Sequence, residues 1–223
     1  MNSNRKSYSW QRVNCSYEKG LYMRIERVES LDKRKCKVFT DEDFAFLLYN
    51  GELEKYGVCE GAVLEKRTER ELLDLLSRRA HERALNLLKV QDRTEGEMCR
   101  RLFQDGYPDS IVQETIGFLQ EYHFVDDARY AANYLQVHGK RKSQAELKLY
   151  LQRKGISREI IREQLEETEH DSGEAIRVLL EKKHYRAGET APEEKKKIIA
   201  YLMRRGFSWE DIRKGDEEFP RLE

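Results

Sequence analysis

A 13-residue pattern occurs three times in this chain and sets the strongest limit on its fold. Each copy has an apolar residue, a leucine four positions later and a glycine four positions after that. The copies read TEGEMCRRLFQDG at 94–106, SQAELKLYLQRKG at 143–155 and EKKKIIAYLMRRG at 194–206. A spacing of about 50 residues is typical of stacked supersecondary units, and three such units suffice to bury a continuous core.

Helix start and stop signals divide the region around these copies into nine helices. Thr68 with Glu71 and Ser143 with Glu146 have the spacing of a capping box, in which each side chain satisfies a free backbone N–H of the other residue. Glycine after the last apolar position favours a left-handed helix end. Further N-caps are predicted at Asp126, Ser157, Asp171 and Ser208, and further helix ends at Gly106, Gly155 and Gly206.

In the N-terminal part of the chain the apolar residues recur with a different period, of two residues. Apolar residues alternate with polar ones around Met23, Val38 and Phe46, and turn residues separate the three runs. This alternation predicts a three-stranded antiparallel meander, followed by a helical turn at 52–56 that Gly57 ends. The predicted fold is therefore mainly α: three tandem three-helix repeats in an elongated curved array, preceded by a small antiparallel β module. The predicted boundaries are a polar tail at 1–20, the β module at 21–66, and repeats at 67–125, 126–170 and 171–223, the last with an acidic tail.

The composition excludes several classes of protein. Charged residues make up 38% of the chain and the mean hydropathy is −0.87, but the regular spacing of the apolar residues argues against global disorder. The 42 basic and 42 acidic residues cancel, which counts against a polycationic coat for nucleic acid and still allows one basic face. No apolar run is long enough to span a bilayer, and no secretory signal is evident. We therefore expect a cytoplasmic protein. We also expect it to be a monomer.

No motif predicts an enzyme, a cofactor or a metal site. His81-Glu82 begins like the zinc motif HExxH, but Leu85 stands where the second histidine is needed. The pair Asp126-Asp127 suits a helix start better than a catalytic pair. The four cysteines form no CxxC motif, and no glycine-rich phosphate loop or GxSxG elbow occurs.

Several stretches of the chain stand in a specific order and spacing. They are YGV-x-x-G at 56–61, RALNLL at 83–88 leading to T94-x-x-E-M-x-x-x-L-x-x-x-G106, FVDDARYA at 124–131, and RKGI at 153–156. Together they resemble the RecX family, the regulators of the RecA recombinase. The resemblance covers about residues 20–215, with Met98 and Tyr150 as departures from the residues more common in the family.

This resemblance implies a non-catalytic modulator made of three tandem three-helix repeats. Proteins of this kind bind the groove of the RecA filament on single-stranded DNA. They suppress strand exchange, ATP hydrolysis and coprotease activity, and so regulate recombination, DNA repair and the SOS response.

Basic side chains around the repeated helices are the candidate partner-binding residues. Contact with filament DNA phosphates or with acidic residues of RecA is one interpretation. The other is local, because cations in the last turn of a helix stabilise it by ~0.3–1 kcal/mol through the helix dipole. The candidates are Arg100 and Arg101, the cluster Lys140, Arg141 and Lys142, and the helix-end pairs Arg153 with Lys154 and Arg204 with Arg205.

Aromatic residues occur in the same region. Stacking on exposed bases is possible beside a basic surface, but aromatic residues at helical spacing more often lie in the core. We assign Phe124, Tyr130 and Tyr134 to the core and leave Tyr107 and Tyr150 open. Two other functions remain as alternatives to RecA regulation: an independent helical DNA-binding module, and a general α-solenoid scaffold for protein binding.

Overall fold

The computed structural model describes residues 23–41, 45–168 and 171–215. The predicted polar tail, the start of the first strand at Leu21, the strand residue Phe44 and the acidic tail lie outside the described residues. The described part of the chain forms two compact units, one of residues 23–41 and 48–72 and the other of residues 45–47 and 73–215.

The N-terminal part of the chain forms an antiparallel sheet. Its strands are β1 (Met23–Ser30), β2 (Lys35–Thr40), β3 (Ala45–Tyr49) and β4 (Val63–Leu64), in the order β3-β2-β1-β4. The alternation in sequence corresponds to one buried face, with Cys36, Val38, Phe46 and Leu48 inside. The meander is confirmed, and so is the helical turn, α1 (Asn50–Tyr56), which ends at Gly57 with φ of 63°. The sequence missed β4, because two residues are too few to show a period.

Within the part of the chain that the structure describes, nine helices follow in three groups of three, as predicted. Each repeated pattern forms the middle helix of its group. A short 3-10 turn at Gly139–Arg141 separates the fifth helix from the sixth. The helices are α2 (Lys66–Leu88), α3 (Glu95–Gln104), α4 (Asp109–Glu121), α5 (Asp127–His138), α6 (Gln144–Lys154), α7 (Arg158–Glu167), α8 (Ser172–Lys182), α9 (Pro192–Arg204) and α10 (Trp209–Gly215).

Each group of helices encloses its own apolar cluster. The apolar residue and the leucine of each copy are buried, because four positions bring both side chains to the same face of a helix. These pairs are Met98 with Leu102, Leu147 with Leu151, and Ile198 with Leu202.

The predicted helix ends are mostly confirmed. Gly106, Gly155 and Gly206 have φ of 86°, 97° and 82°, and Ser143 forms a capping box with Glu146. The capping box at Thr68 is wrong, since α2 begins two residues earlier, at Lys66, and Thr68 lies inside its first turn. The helix of the third copy also begins early, at Pro192, where proline needs no hydrogen-bond partner for its nitrogen.

The start of α3 contacts the end of α6, and we name this contact the first joint. The Thr94 hydroxyl caps α3 by accepting from the N–H of Glu97 (3.2 Å), and it donates to the carbonyl of Lys154 (2.6 Å). The ammonium of Lys154 lies 2.6 Å from the carboxylate of Glu97. Gly96 and Gly155 meet backbone to backbone, since a Cβ at Gly155 would lie 3.0 Å from the Cα of Gly96.

The start of α6 contacts the end of α9 through the same chemistry, and we name this contact the second joint. The Ser143 hydroxyl accepts from the N–H of Glu146 (3.1 Å) and donates to the carbonyl of Arg205. Two guanidinium nitrogens of Arg205 each lie 2.9 Å from a carboxylate oxygen of Glu146. Each joint thus links the N-terminus of one repeated helix to the C-terminus of the next.

Replacement of Gly155 by alanine is expected to destabilise the protein. The left-handed conformation costs a residue with a Cβ roughly 1–2 kcal/mol, and the new Cβ would press on Gly96 in the first joint. In a domain of this size each kcal/mol lowers Tm by about 2–4 °C. Thermal unfolding followed by circular dichroism measures this shift.

Gly117→Ala is the matched control for this substitution. Gly117 lies inside α4, and nothing lies within 4 Å of the Cβ that alanine would add. Alanine should therefore stabilise the helix there by up to ~1 kcal/mol. Equal Tm changes in the two variants would contradict the role assigned to Gly155.

Candidate functional site: a basic groove between the first two repeats

A groove of about 780 Å³ lies between the first and second repeats, beside the first joint. One wall comes from the end of α2, the segment before α3 and the outer face of α3. The other wall comes from the last turn of α6. The lining residues are Leu87, Arg93, Glu97, Arg100, Arg101, Gln104, Tyr150, Arg153 and Lys154.

The groove has an excess of positive charge. Five of its lining residues are cationic, and its only carboxylate, that of Glu97, is paired with Lys154. The Nε atoms of Arg93 and Arg101 are both buried, and neither has a hydrogen-bond partner among the described residues. Burial of these atoms holds both guanidinium groups in the groove wall, where their positive charge favours an anionic ligand.

The arginines of the groove differ in how firmly the protein holds them. Arg100 reaches across the groove and donates to the carbonyls of Arg153 (3.3 Å) and Lys154 (3.2 Å), which places its charge at the end of α6. Arg101 forms an ion pair with Asp105 at 3.3 Å. The side chain of Arg153 is exposed. The groove therefore combines two cations that are held by contacts within the protein, Arg100 and Arg101, with the exposed cation of Arg153.

Lys154 is the most constrained cation of the groove. Burial alone would lower the pKa of Lys154, but the hydrogen bond and the negative charge of Glu97 outweigh it, so the pKa is raised. The rings of Tyr130 and Tyr150 lie 6.0 and 5.5 Å from its ammonium. Burial, followed by the hydrogen bond with Tyr150, raises the pKa of Tyr130 to about 12, so this ring stays neutral.

Of the predicted binding residues, Arg100, Arg101, Arg153 and Lys154 come together in the groove. The cluster at 140–142 does not line it. Lys140 pairs with Glu174 at 3.3 Å, and the Lys142 ammonium lies 4.9 Å from the centre of the Tyr134 ring. Arg204 is exposed at the end of α9, and Arg205 is held in the second joint.

The sequence did not single out Arg93, which contributes a buried Nε to the groove. Its position directly before the N-cap Thr94 is a signal that could have found it, since that cap meets the next repeat. A second signal is the difference between copies. Where the first copy has Arg100 and Arg101, the second has Leu149 and Tyr150, so the repeat pattern does not require arginine there.

The aromatic residues divide between core and surface. Tyr134 is buried, Tyr130 packs against the core of the second repeat, and both assignments are confirmed. Tyr150 stacks on Tyr134 with ring centres 4.0 Å apart and forms part of the groove wall. The assignment of Phe124 to the core is wrong: the residue is 46% exposed, because it lies on the turn before α5 rather than on the inner face of the helix.

The buried thiol of Cys99 is unsuited to nucleophilic chemistry. Burial raises the pKa of the Cys99 thiol to about 11, and the carboxylate of Glu95 adds to the shift. Among the described residues no three metal-ligating side chains come together. Asp126 caps α5 by accepting from the N–H of Arg129 at 2.9 Å, in agreement with its predicted role as a helix cap.

The fold and the groove define a class of protein: a tandem array of three-helix repeats with a cationic groove between the first two repeats. Family models agree in detail. RecX, first three-helix domain, matches residues 80–119, the second such domain matches 126–165 and the third matches 171–214.

Two curated relatives are named Regulatory protein RecX. The one from Clostridium tetani is 33% identical over 208 residues, which cover 91% of this chain and 86% of the relative. The one from Clostridium acetobutylicum is 27% identical over 197 residues, covering 84% and 92%. The chain belongs to the RecX family and has a RecX-type regulatory role.

Solved structures share the fold. A crystal structure of regulatory protein RecX has a TM-score of 0.59 at 23% identity and covers 88% of this chain and 100% of its own. RecX from Lactobacillus salivarius has a TM-score of 0.56 at 24% identity, covering 64% and 96%. Within the described residues, no helix has the length and apolar character that crossing a membrane requires.

Two carboxylates near the first joint should make stability depend on pH. The N–H of Glu95 donates to Asp127 at 2.9 Å. Burial raises the pKa of Asp127, and burial together with the charge of Asp127 raises the pKa of Glu95. The two carboxyl groups thus stay protonated to a higher pH in the folded state than in the unfolded state. For each group, the free energy of unfolding falls as the pH rises from its unfolded-state pKa through its folded-state pKa.

Asp127→Asn should therefore raise Tm at pH 7, since asparagine still accepts the hydrogen bond but carries no charge. The gain should shrink as the pH falls toward about 4, the ordinary pKa of an aspartate. Asp126→Asn is the control, because it removes a charge from the adjacent position while keeping the helix cap. A gain for Asp127→Asn that is independent of pH would contradict the assignment.

Proposed function

We propose that this chain is a non-catalytic modulator of the RecA recombinase, which binds the RecA filament on single-stranded DNA and inhibits strand exchange and ATP hydrolysis. Membership of the RecX family supports this proposal, because the curated relatives are named regulatory proteins. The proposal includes a monomeric protein acting in the cytoplasm, in the regulation of recombination and DNA repair.

The basic groove is the observation that carries the proposal at the level of residues. The chain has no net charge, so attraction to a polyanionic filament has to come from a local concentration of cations. The groove provides one, with Arg93, Arg100, Arg101 and Arg153 around a single neutralised carboxylate. Phosphates of the filament DNA and acidic side chains of RecA both match this chemistry.

The cluster at 140–142 remains a second candidate contact. Arg141 is exposed, and it is the last residue of the 3-10 turn that separates α5 from α6 in the sequence. Lys142 is less available, since its ammonium donates to the hydroxyl of Tyr134 at 2.5 Å. In this cluster, Arg141 is therefore the residue that we propose to contact the partner.

The direct test is ATP hydrolysis by RecA on single-stranded DNA, with this protein added below the concentration of RecA. We expect the rate to fall and the filaments to shorten in electron micrographs. An unchanged rate with unchanged filament length would refute the proposal. Tight binding to DNA in the absence of RecA, without any effect on RecA, would favour the independent DNA-binding module.

The variant Arg93→Gln/Arg153→Gln should weaken inhibition without unfolding the protein. Loss of two charged contacts is expected to raise the half-inhibiting concentration at least ~10-fold, equivalent to about 1.4 kcal/mol. The control is Arg158→Gln/Arg162→Gln, which removes the same charge from exposed positions of α7. Equal effects of the two double variants would show that net charge matters and the groove does not.

A further inference from the structure

The first joint is part of the groove wall. Glu97 and Lys154 both line the groove, and each is adjacent in structure to arginines that face it. Glu97 lies one helical turn before Arg100 and Arg101 on α3, and Lys154 directly follows Arg153 on α6. The ion pair between Glu97 and Lys154 therefore also sets the distance between the arginines of α3 and Arg153 of α6.

The contacts of the first joint leave little of Glu97 and Lys154 exposed to a partner. Their side chains are 17% and 22% exposed, and their charged atoms lie 2.6 Å apart. Breaking a partly buried ion pair on one side leaves the other charge without a partner, which is much less favourable than the loss of an exposed pair. The Thr94 hydroxyl and the Arg100 guanidinium bind the same carbonyl, that of Lys154.

The second joint has the same chemistry in a different setting. Arg205 and Glu146 pair as Lys154 and Glu97 do. The cap hydroxyl of Ser143 again donates to a backbone carbonyl, that of Arg205. The positions that correspond to Arg100 and Arg101, however, hold Leu149 and Tyr150. The protein thus contains one joint that borders the basic groove and an equivalent joint that does not.

We infer that Glu97 and Lys154 are positioning residues of the basic groove. They hold the arginines of α3 and α6 at the separation that the anionic partner requires, and neither side chain binds the partner itself. This assignment rests on the proposed function of the groove. It also moves Lys154 from the residues that contact the partner to those that shape the site.

Glu97→Gln separates positioning from simple electrostatics by the sign of its effect. The substitution makes the groove more positive by one charge, so attraction alone predicts tighter binding to a polyanionic filament. If Glu97 positions the groove, loss of its pairing with Lys154 should instead weaken inhibition of RecA, by about three- to tenfold in half-inhibiting concentration, as for residues that act without touching the ligand. Inhibition equal to or stronger than that of the unmodified protein would overturn the inference.

Glu146→Gln is the matched control at the second joint. It removes the same carboxylate from an equivalent ion pair, so its effect on Tm should resemble that of Glu97→Gln. We expect inhibition to be unchanged. Equal losses of inhibition in both variants would show that general stability is responsible and would also overturn the inference.

The charge exchange Glu97→Lys/Lys154→Glu provides a second and independent measurement. It keeps both the total charge and the pairing across the joint, so inhibition should recover relative to either single exchange. If Lys154 contacts the partner directly, the double variant should stay as impaired as Lys154→Glu. Since all variants are compared with the unmodified protein, a failure of the proposed function would show itself separately, as the absence of any inhibition to lose.

Discussion

One hydroxyl group in each joint connects the local and the long-range structure of this protein. A serine or threonine hydroxyl can accept one hydrogen bond while donating another. Thr94 accepts from its own helix and donates to the end of α6, and Ser143 does the same toward the end of α9. A capping residue of this kind stabilises its own helix by ~1 kcal/mol. Here the same atom also orients the next repeat, so helix formation and assembly of the repeats support each other.

The chemistry of the joint explains why the three copies of the pattern differ at their ends. A joint needs a hydroxyl and a carboxylate at the start of one copy and a cation at the end of the next. The first copy ends in Asp105, which pairs with Arg83 at 2.7 Å, so its end lacks the cation that a joint needs. The third copy has Glu194 and Lys197 at the positions of the hydroxyl and the carboxylate, so its start lacks both of these groups. The second copy, which takes part in both joints, has all three groups.

The same differences locate the candidate site. Lys154 and Arg205 occupy equivalent positions and have equivalent roles in the joints, so their recurrence reflects assembly of the repeats. Arg100 and Arg101 do not recur, and they line the groove. In a repeat protein the residues that every copy needs form the framework. The residues found in one copy are the better candidates for recognition of a partner.

Residues close in sequence determined most of the fold. The glycine ends, the capping box at Ser143, the nine helices and the buried pairs could all be predicted, because each depends on contacts within a few positions along the chain. The two predictions that are wrong, the cap at Thr68 and the core position of Phe124, also have local causes. Thr68 offers a cap, but α2 already begins at Lys66, and Phe124 is apolar but lies on a turn.

Only the tertiary structure could show the groove. Arg93 and Arg153 are 60 positions apart in the sequence, and the first joint decides which side chains meet across the groove. The sequence identified the basic residues as a group, and by itself it determined the repeats, their cores and the family. Some of these cations bind a neighbouring repeat and others face the groove. This division depends on how consecutive repeats pack, and no local sequence pattern encodes that packing.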